Sequence, residues 1–135
     1  MTNERLAAIA GIENLNGIEQ TENGEQFLWI GQGDTVINVV SYKAGTVALE
    51  GYFLPGPSLP ETALRRLLVR TDQDYEKEET LTDEEDRVIS VPVVEGITRI
   101  AFHPLDKPTA QLPSDPRPLL LGVQGLRVGG FFESQ

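Results

Sequence analysis

The stretch Asp115-Pro116-Arg117-Pro118-Leu119-Leu120-Leu121-Gly122-Val123 constrains the fold of this chain more than any other segment. Pro116 and Pro118 fix φ and remove two N–H donors, which excludes a helix interior and the middle of a sheet. The residues behind them form an apolar strand. Leu119, Leu121 and Val123 share one side by parity and are too apolar to be left in water. A rigid turn that feeds a strand needing a covered face points to packed β architecture.

The rest of the chain repeats that signal. Val47, Leu49 and Phe53 alternate with Thr46, Ala48, Glu50 and Tyr52, with Gly51 interrupting the apolar side. Ile89, Val91 and Val93 alternate with Ser90 and Pro92, and Pro92 restricts that strand to a sheet edge or a bulge. Phe27-Leu28-Trp29-Ile30, Val36–Val40, Leu67-Leu68-Val69 and Arg99–His103 are further short runs bounded by Gly, Asp or Pro. In the last strand Leu126 and Val128 fall in the phase opposite to Leu121 and Val123, and Gly125 at the change predicts a β-bulge. The expected fold is an all-β antiparallel sandwich of about eight strands over residues 17–135. Residues 1–16 are expected to be a tail or one short helix, with Thr2 or Asn3 as its cap and Gly11 as its end.

Composition removes several classes of function. With no cysteine and one histidine, His103, the chain has neither a disulfide framework nor a thiolate or multi-histidine metal site. No cofactor and no metal are expected. The formal charge is −10, and nine acids against one lysine lie between Asp72 and Asp86. A nucleic-acid partner needs a basic stripe, and none is present. That acidic stretch has oxygen donors but no EF-hand spacing, and is expected to be a charged excursion, marginal as ordered structure, that serves as a solvated hairpin tip and keeps the domain soluble. No apolar run reaches the about 20 residues of a membrane span, and the N-terminus lacks the pattern of a signal peptide, so the expected compartment is the cytoplasm.

The segment Asp115–Val128 resembles the closing strand of β-sandwich accessory domains that accompany bacterial glycosyltransferases and methyltransferases of surface-polysaccharide synthesis. In those domains a DxR-x-LG-v pattern opens the final strand, and the strand before it ends near a "pLD" turn, matched here by His103-Pro104-Leu105-Asp106. Gly17-Ile18-Glu19, Glu22, Gly24 and Phe27–Gly31 are similar to their opening hairpin. Pro118 and the length of the acidic stretch depart from the pattern. The resemblance implies a jelly-roll-like sandwich, non-catalytic and attached to or associated with a glycan-modifying enzyme. It transfers no catalytic residue.

Side-chain chemistry offers a few candidates. Arg117 is expected to form a structural ion pair with Glu19, Glu22 or Asp115 that ties the last strand to the first hairpin; the alternative is recognition of an anionic sugar. Trp29 is either a stacking platform or a core residue, and its apolar neighbours favour the core. Glu50, Tyr52, Ser90, Arg99 and His103 share outward parity and make the best candidate glycan surface. No nucleophile elbow accompanies His103 and Asp106, so enzyme activity is not expected. Two functions follow: a non-catalytic module that binds a glycan or glycan intermediate weakly, or an assembly module that docks on another domain or forms a homodimer. The second rests on Leu68, Val88, Val94 and Ile97, which are apolar on nominally outer parity.

Overall fold

The structure is a computed structural model of the 135-residue chain, and it describes residues 6–60, 63–81, 83–109 and 113–134. Ten strands follow one another: β1 (Ala7–Glu13), β2 (Glu19–Gln20), β3 (Gln26–Ile30), β4 (Thr35–Ser41), β5 (Gly45–Pro55), β6 (Arg65–Thr71), β7 (Glu76–Leu81), β8 (Glu85–Val93), β9 (Gly96–Pro104) and β10 (Leu121–Glu133). They form two five-stranded sheets. The first runs β1-β4-β9-β6-β7 and the second β2-β3-β10-β5-β8. Every pairing is antiparallel.

The period-two pattern explains the core. Ile37, Val39, Leu67, Val69, Ile100 and Phe102 face inward from the first sheet, and Leu28, Ile30, Val47, Leu49, Phe53 and Val123 from the second. Each such side chain contributes about 1.5–3 kcal/mol relative to exposure. Pro92 lies on β8, an edge of the second sheet, where its missing N–H leaves no ladder bond broken. Gly125 sits at a register shift in β10 with φ of 66°, and beyond it Leu126 and Val128 turn back to the interior. The bulge expected there is present, and a second shift follows between Val128 and Gly130.

Two expectations are corrected. Ala7–Glu13 is a strand, not a helix, and pairs with β4 as an edge of the first sheet. The alanines favour a helix locally, but cross-strand pairing and burial of Ala7 outweigh propensity over so short a segment. The sandwich therefore includes residues assigned to the tail; the caps Thr2 and Asn3 lie outside the described residues. The acidic stretch, expected to be marginal as ordered structure, is also built into the sheet: β7 forms a hairpin with β6. Leu81 is buried and Tyr75 packs on the core, which anchors the strand. At the open side of the sandwich Arg87 of β8 reaches Glu79 of β7 (3.6 Å).

The chain crosses from the second sheet to the first through 56–64, and Arg65 organises that crossover. The residue is 3% exposed, and its guanidinium reaches the carbonyls of Gly56 (2.9 Å), Leu59 (3.2 Å), Pro60 (2.8 Å), Ala63 (2.7 Å) and Leu120 (3.4 Å). The loop also pairs with the segment that leads into β10. Gly56 N–H donates to Leu120 O, Ser58 N–H to Leu119 O, and Leu119 N–H to the buried Ser58 Oγ.

Candidate functional site

β3 sets the phase of the outer face of the second sheet. Leu28 and Ile30 are buried, so Phe27 and Trp29 project outward, half-exposed. Their rings meet edge to face, with centroids 4.9 Å apart and planes at 68°. The expectation that Trp29 belongs to the core is thus corrected. An all-apolar run gives no phase by itself; the register does, placing Trp29 opposite Gly122 and Phe27 opposite Gln124. On the far side of β10 the same two residues face Leu54 and Tyr52. Gly122 is the floor between them, because a Cβ there would lie 2.8–3.1 Å from Phe27, Leu54 and Trp29.

Beside this platform lies an open groove of about 460 Å³ lined by Leu54, Pro55, Gly56, Pro57, Leu59, Asp83 and Glu84. Tyr52 joins platform to groove. Partial burial, and then a hydrogen bond to Glu84, hold its phenol above the usual tyrosine range. Glu50, next along the same face, pairs with Arg127 (3.1 Å), and Gln124 donates to Glu25 (2.7 Å). The face thus combines three half-exposed rings with hydrogen-bonding groups, a composition suited to binding a polar ligand that has apolar faces.

The structure divides the candidate surface read from the sequence. Glu50, Tyr52 and Ser90 lie on the second sheet, whereas Arg99 and His103 lie on β9, on the outer face of the first. Parity places all five outward but does not say which sheet a strand joins, and β5 and β9 fall on opposite sides. Arg99 binds Glu13 (2.8 Å), and Asn38 first and Arg99 second hold that carboxyl below its ordinary range. His103 Nδ1 is 2.6 Å from Asp34, which Arg70 also contacts (3.1 Å). These groups form a paired lattice on the first sheet, away from the aromatic platform.

Arg117 lies between the segment ahead of β10 and the first hairpin. It donates Nε and Nη2 to the two oxygens of Asp115 (2.9 and 2.7 Å) and Nη1 to Glu19 of β2 (3.3 Å) and to Asn16 O (3.3 Å). Glu22 stands exposed outside the cluster. The Arg117 side chain is about one-third exposed, so the cluster belongs to the surface more than to the core. Its hydrogen bonds to Arg117 keep the Asp115 carboxyl below its ordinary value of 3.8. A depressed folded value means that the contribution is fully present above that value and is lost as pH falls through the folded one. Melting temperatures of the wild type and Asp115→Asn should therefore differ by a constant amount above about pH 5 and converge in stronger acid. A constant difference down to the acid limit would remove the charge from the cluster.

No sequence-family profile matches the chain, and a comparison with curated proteins gave no match. Solved structures do resemble it. Xyl-CBM35 in complex with a glucuronic acid-containing disaccharide has a TM-score of 0.59 at 14% identity, covering 98% of this chain and 96% of that one. CBM35 from Cellvibrio japonicus Abf62 has a TM-score of 0.56 at 16% identity, over 99% and 96% of the two chains. A Podospora anserina GH26-CBM35 β-(1,4)-mannanase has a TM-score of 0.51 at 8% identity over 100% of this chain and 28% of the mannanase. The likeness shows the fold. This chain is a jelly-roll-like antiparallel sandwich of the kind found in these family 35 carbohydrate-binding modules, and it spans about a quarter of the mannanase's length.

Proposed function

We propose that this protein is a non-catalytic carbohydrate-binding module, accessory to a glycan-modifying enzyme in the same assembly, and that its ligand lies on the outer face of the second sheet. One observation carries the reading: Trp29 and Phe27 on β3 and Tyr52 on β5, half-exposed on either side of β10, lead into the groove at Asp83 and Glu84. Apolar faces of sugar rings pack on such rings while their hydroxyls bond the carboxylates. The fold neighbours named as carbohydrate-binding modules support the same reading. A third neighbour is named as a GH26-CBM35 mannanase, whereas the sequence resemblance points to glycosyltransferases; we favour a glycan-active partner of either kind over a free-standing role.

Titration calorimetry against oligosaccharides of mannan, xylan and arabinogalactan tests the proposal. Saturable binding to at least one is expected. Tyr52→Ala and Trp29→Ala should each weaken it about tenfold or more, equivalent to about 1.4 kcal/mol. Arg99→Ala, on the opposite sheet, should leave it unchanged. Absence of binding at millimolar sugar, or binding indifferent to both ring variants, would sink the reading.

The assembly alternative has its own motif. Val40 pairs with Ile97 on the outer face of the first sheet, and both, like nearby Tyr42, are exposed. Val88 is also exposed, but on the other sheet, so the apolar positions noted in the sequence do not form one patch. Self-association through the Val40–Ile97 face predicts a dimer in sedimentation that Ile97→Lys converts to monomer. A wild-type monomer at high concentration would end that alternative.

A further inference from the structure

We infer that the Tyr52–Leu54 groove selects glycans by charge, taking an amine-bearing glycan such as a glucosamine oligomer and excluding uronic acids. The inference rests on the proposed carbohydrate site and names its substrate class. It follows from which polar atoms the groove presents. On the loop wall Pro55 and Pro57 have no N–H, and the N–H groups of Gly56 and Ser58 are already donated to the carbonyls of Leu120 and Leu119. The opposite wall presents the exposed carboxylates of Asp83 and Glu84, with Glu85 and Asp86 following. Among the described residues the loop wall thus keeps its Gly56 and Ser58 donors for itself while the opposite wall offers carboxylate acceptors, and a ligand must bring the donors.

The neighbouring cations do not change this balance. Arg65 lies buried behind the loop, its guanidinium held by main-chain carbonyls. Arg87 points between the sheets toward Glu79 and also contacts Glu85. Arg127 is committed to Glu50. A sugar carboxylate in the groove would meet two like charges and, among the described residues, gain no charged donor, whereas an ammonium gains both charge and hydrogen bonds. This sets the groove apart from the neighbour solved with a glucuronic acid-containing disaccharide.

The test compares three hexamers on the whole protein: glucosamine, N-acetylglucosamine and galacturonic acid. The glucosamine hexamer should bind at least tenfold tighter than hexagalacturonate, and the gap should shrink several-fold in 0.5 M salt, where the Debye length falls to roughly 4 Å. Glu84→Gln should weaken the amine ligand and strengthen the acid one, a reversal that general loss of structure does not produce. Tyr52→Ala distinguishes the groove from diffuse attraction to a protein of charge −10; with it the preference should vanish. Hexagalacturonate binding as tightly as glucosamine hexamer overturns the inference, as does a preference that survives Tyr52→Ala. If neutral mannan or xylan oligomers bind while no charge preference exists, this inference falls and the carbohydrate site stands. If no glycan binds at all, both fall.

Discussion

Replacing Arg65 with alanine should lower stability by about 4 kcal/mol or more, since charged hydrogen bonds contribute about 1.5–3 kcal/mol each and several are lost together. For a domain of this size that is a fall of roughly 12–16 °C in melting temperature. The residue is 3% exposed, and its guanidinium collects carbonyls from four positions of the crossover loop and one from the segment ahead of β10. Those carbonyls are fixed by the prolines of the loop and cannot turn to water without unfolding it. Two companion variants separate charge from volume. Arg65→Lys supplies one ammonium at a point and should recover less than half of the loss, because the planar fork is what spans separate carbonyls. Arg65→Met restores much of the volume and none of the donors, and should melt almost as low as the alanine variant. A methionine variant within about 3 °C of wild type would show that packing, not hydrogen bonding, fills this position.

The importance of Arg65 is legible in part. It shares parity with Leu67 and Val69, whose apolar side chains fix the inner face of β6, so parity alone turns Arg65 inward. What the sequence does not display is the set of carbonyls around it. The carbonyls that bind a buried guanidinium leave no trace in residue type, while the carboxylate partners of Arg117 stand visibly at Asp115 and Glu19. The same asymmetry runs through the fold. Period-two patterns and the Gly125 phase change identify a sandwich and its bulge, because burial acts residue by residue along each strand. Sheet membership is set by pairing between distant strands, so parity, which both sheets obey, does not separate Arg99 and His103 from Glu50 and Tyr52. β1 is an alanine-rich edge strand and β7 an edge strand with few apolar residues, and only their partners β4 and β6 make them strands. Trp29 needed the register of β3 on β10 to be placed outside.

Gly56→Ala should also be strongly destabilising, costing about 3 kcal/mol, near the upper end of the usual range for overpacking a close contact. Its φ is not the reason. A Cβ at this position would run into the carbonyl oxygen of Leu119 and come within 2.6 Å of the Leu120 carbonyl carbon. Both obstacles are backbone, and that backbone is held in turn by Ser58 and by the Gly56 N–H itself. Neither side can yield alone, so the loop must lift away from the Leu119–Leu120 segment. Lifting it withdraws the Gly56 carbonyl from Arg65 and displaces the groove wall formed by Pro55 and Pro57. The variant should therefore melt roughly 10 °C lower and, at a temperature where it is fully folded, bind oligosaccharide more weakly while Trp29 fluorescence is preserved. A melting temperature within 2–3 °C of wild type would mean that the crossover moves freely off the last strand. Lower stability with unchanged affinity would instead detach the loop wall from the binding site, leaving the Trp29–Tyr52 platform to hold the ligand without the groove.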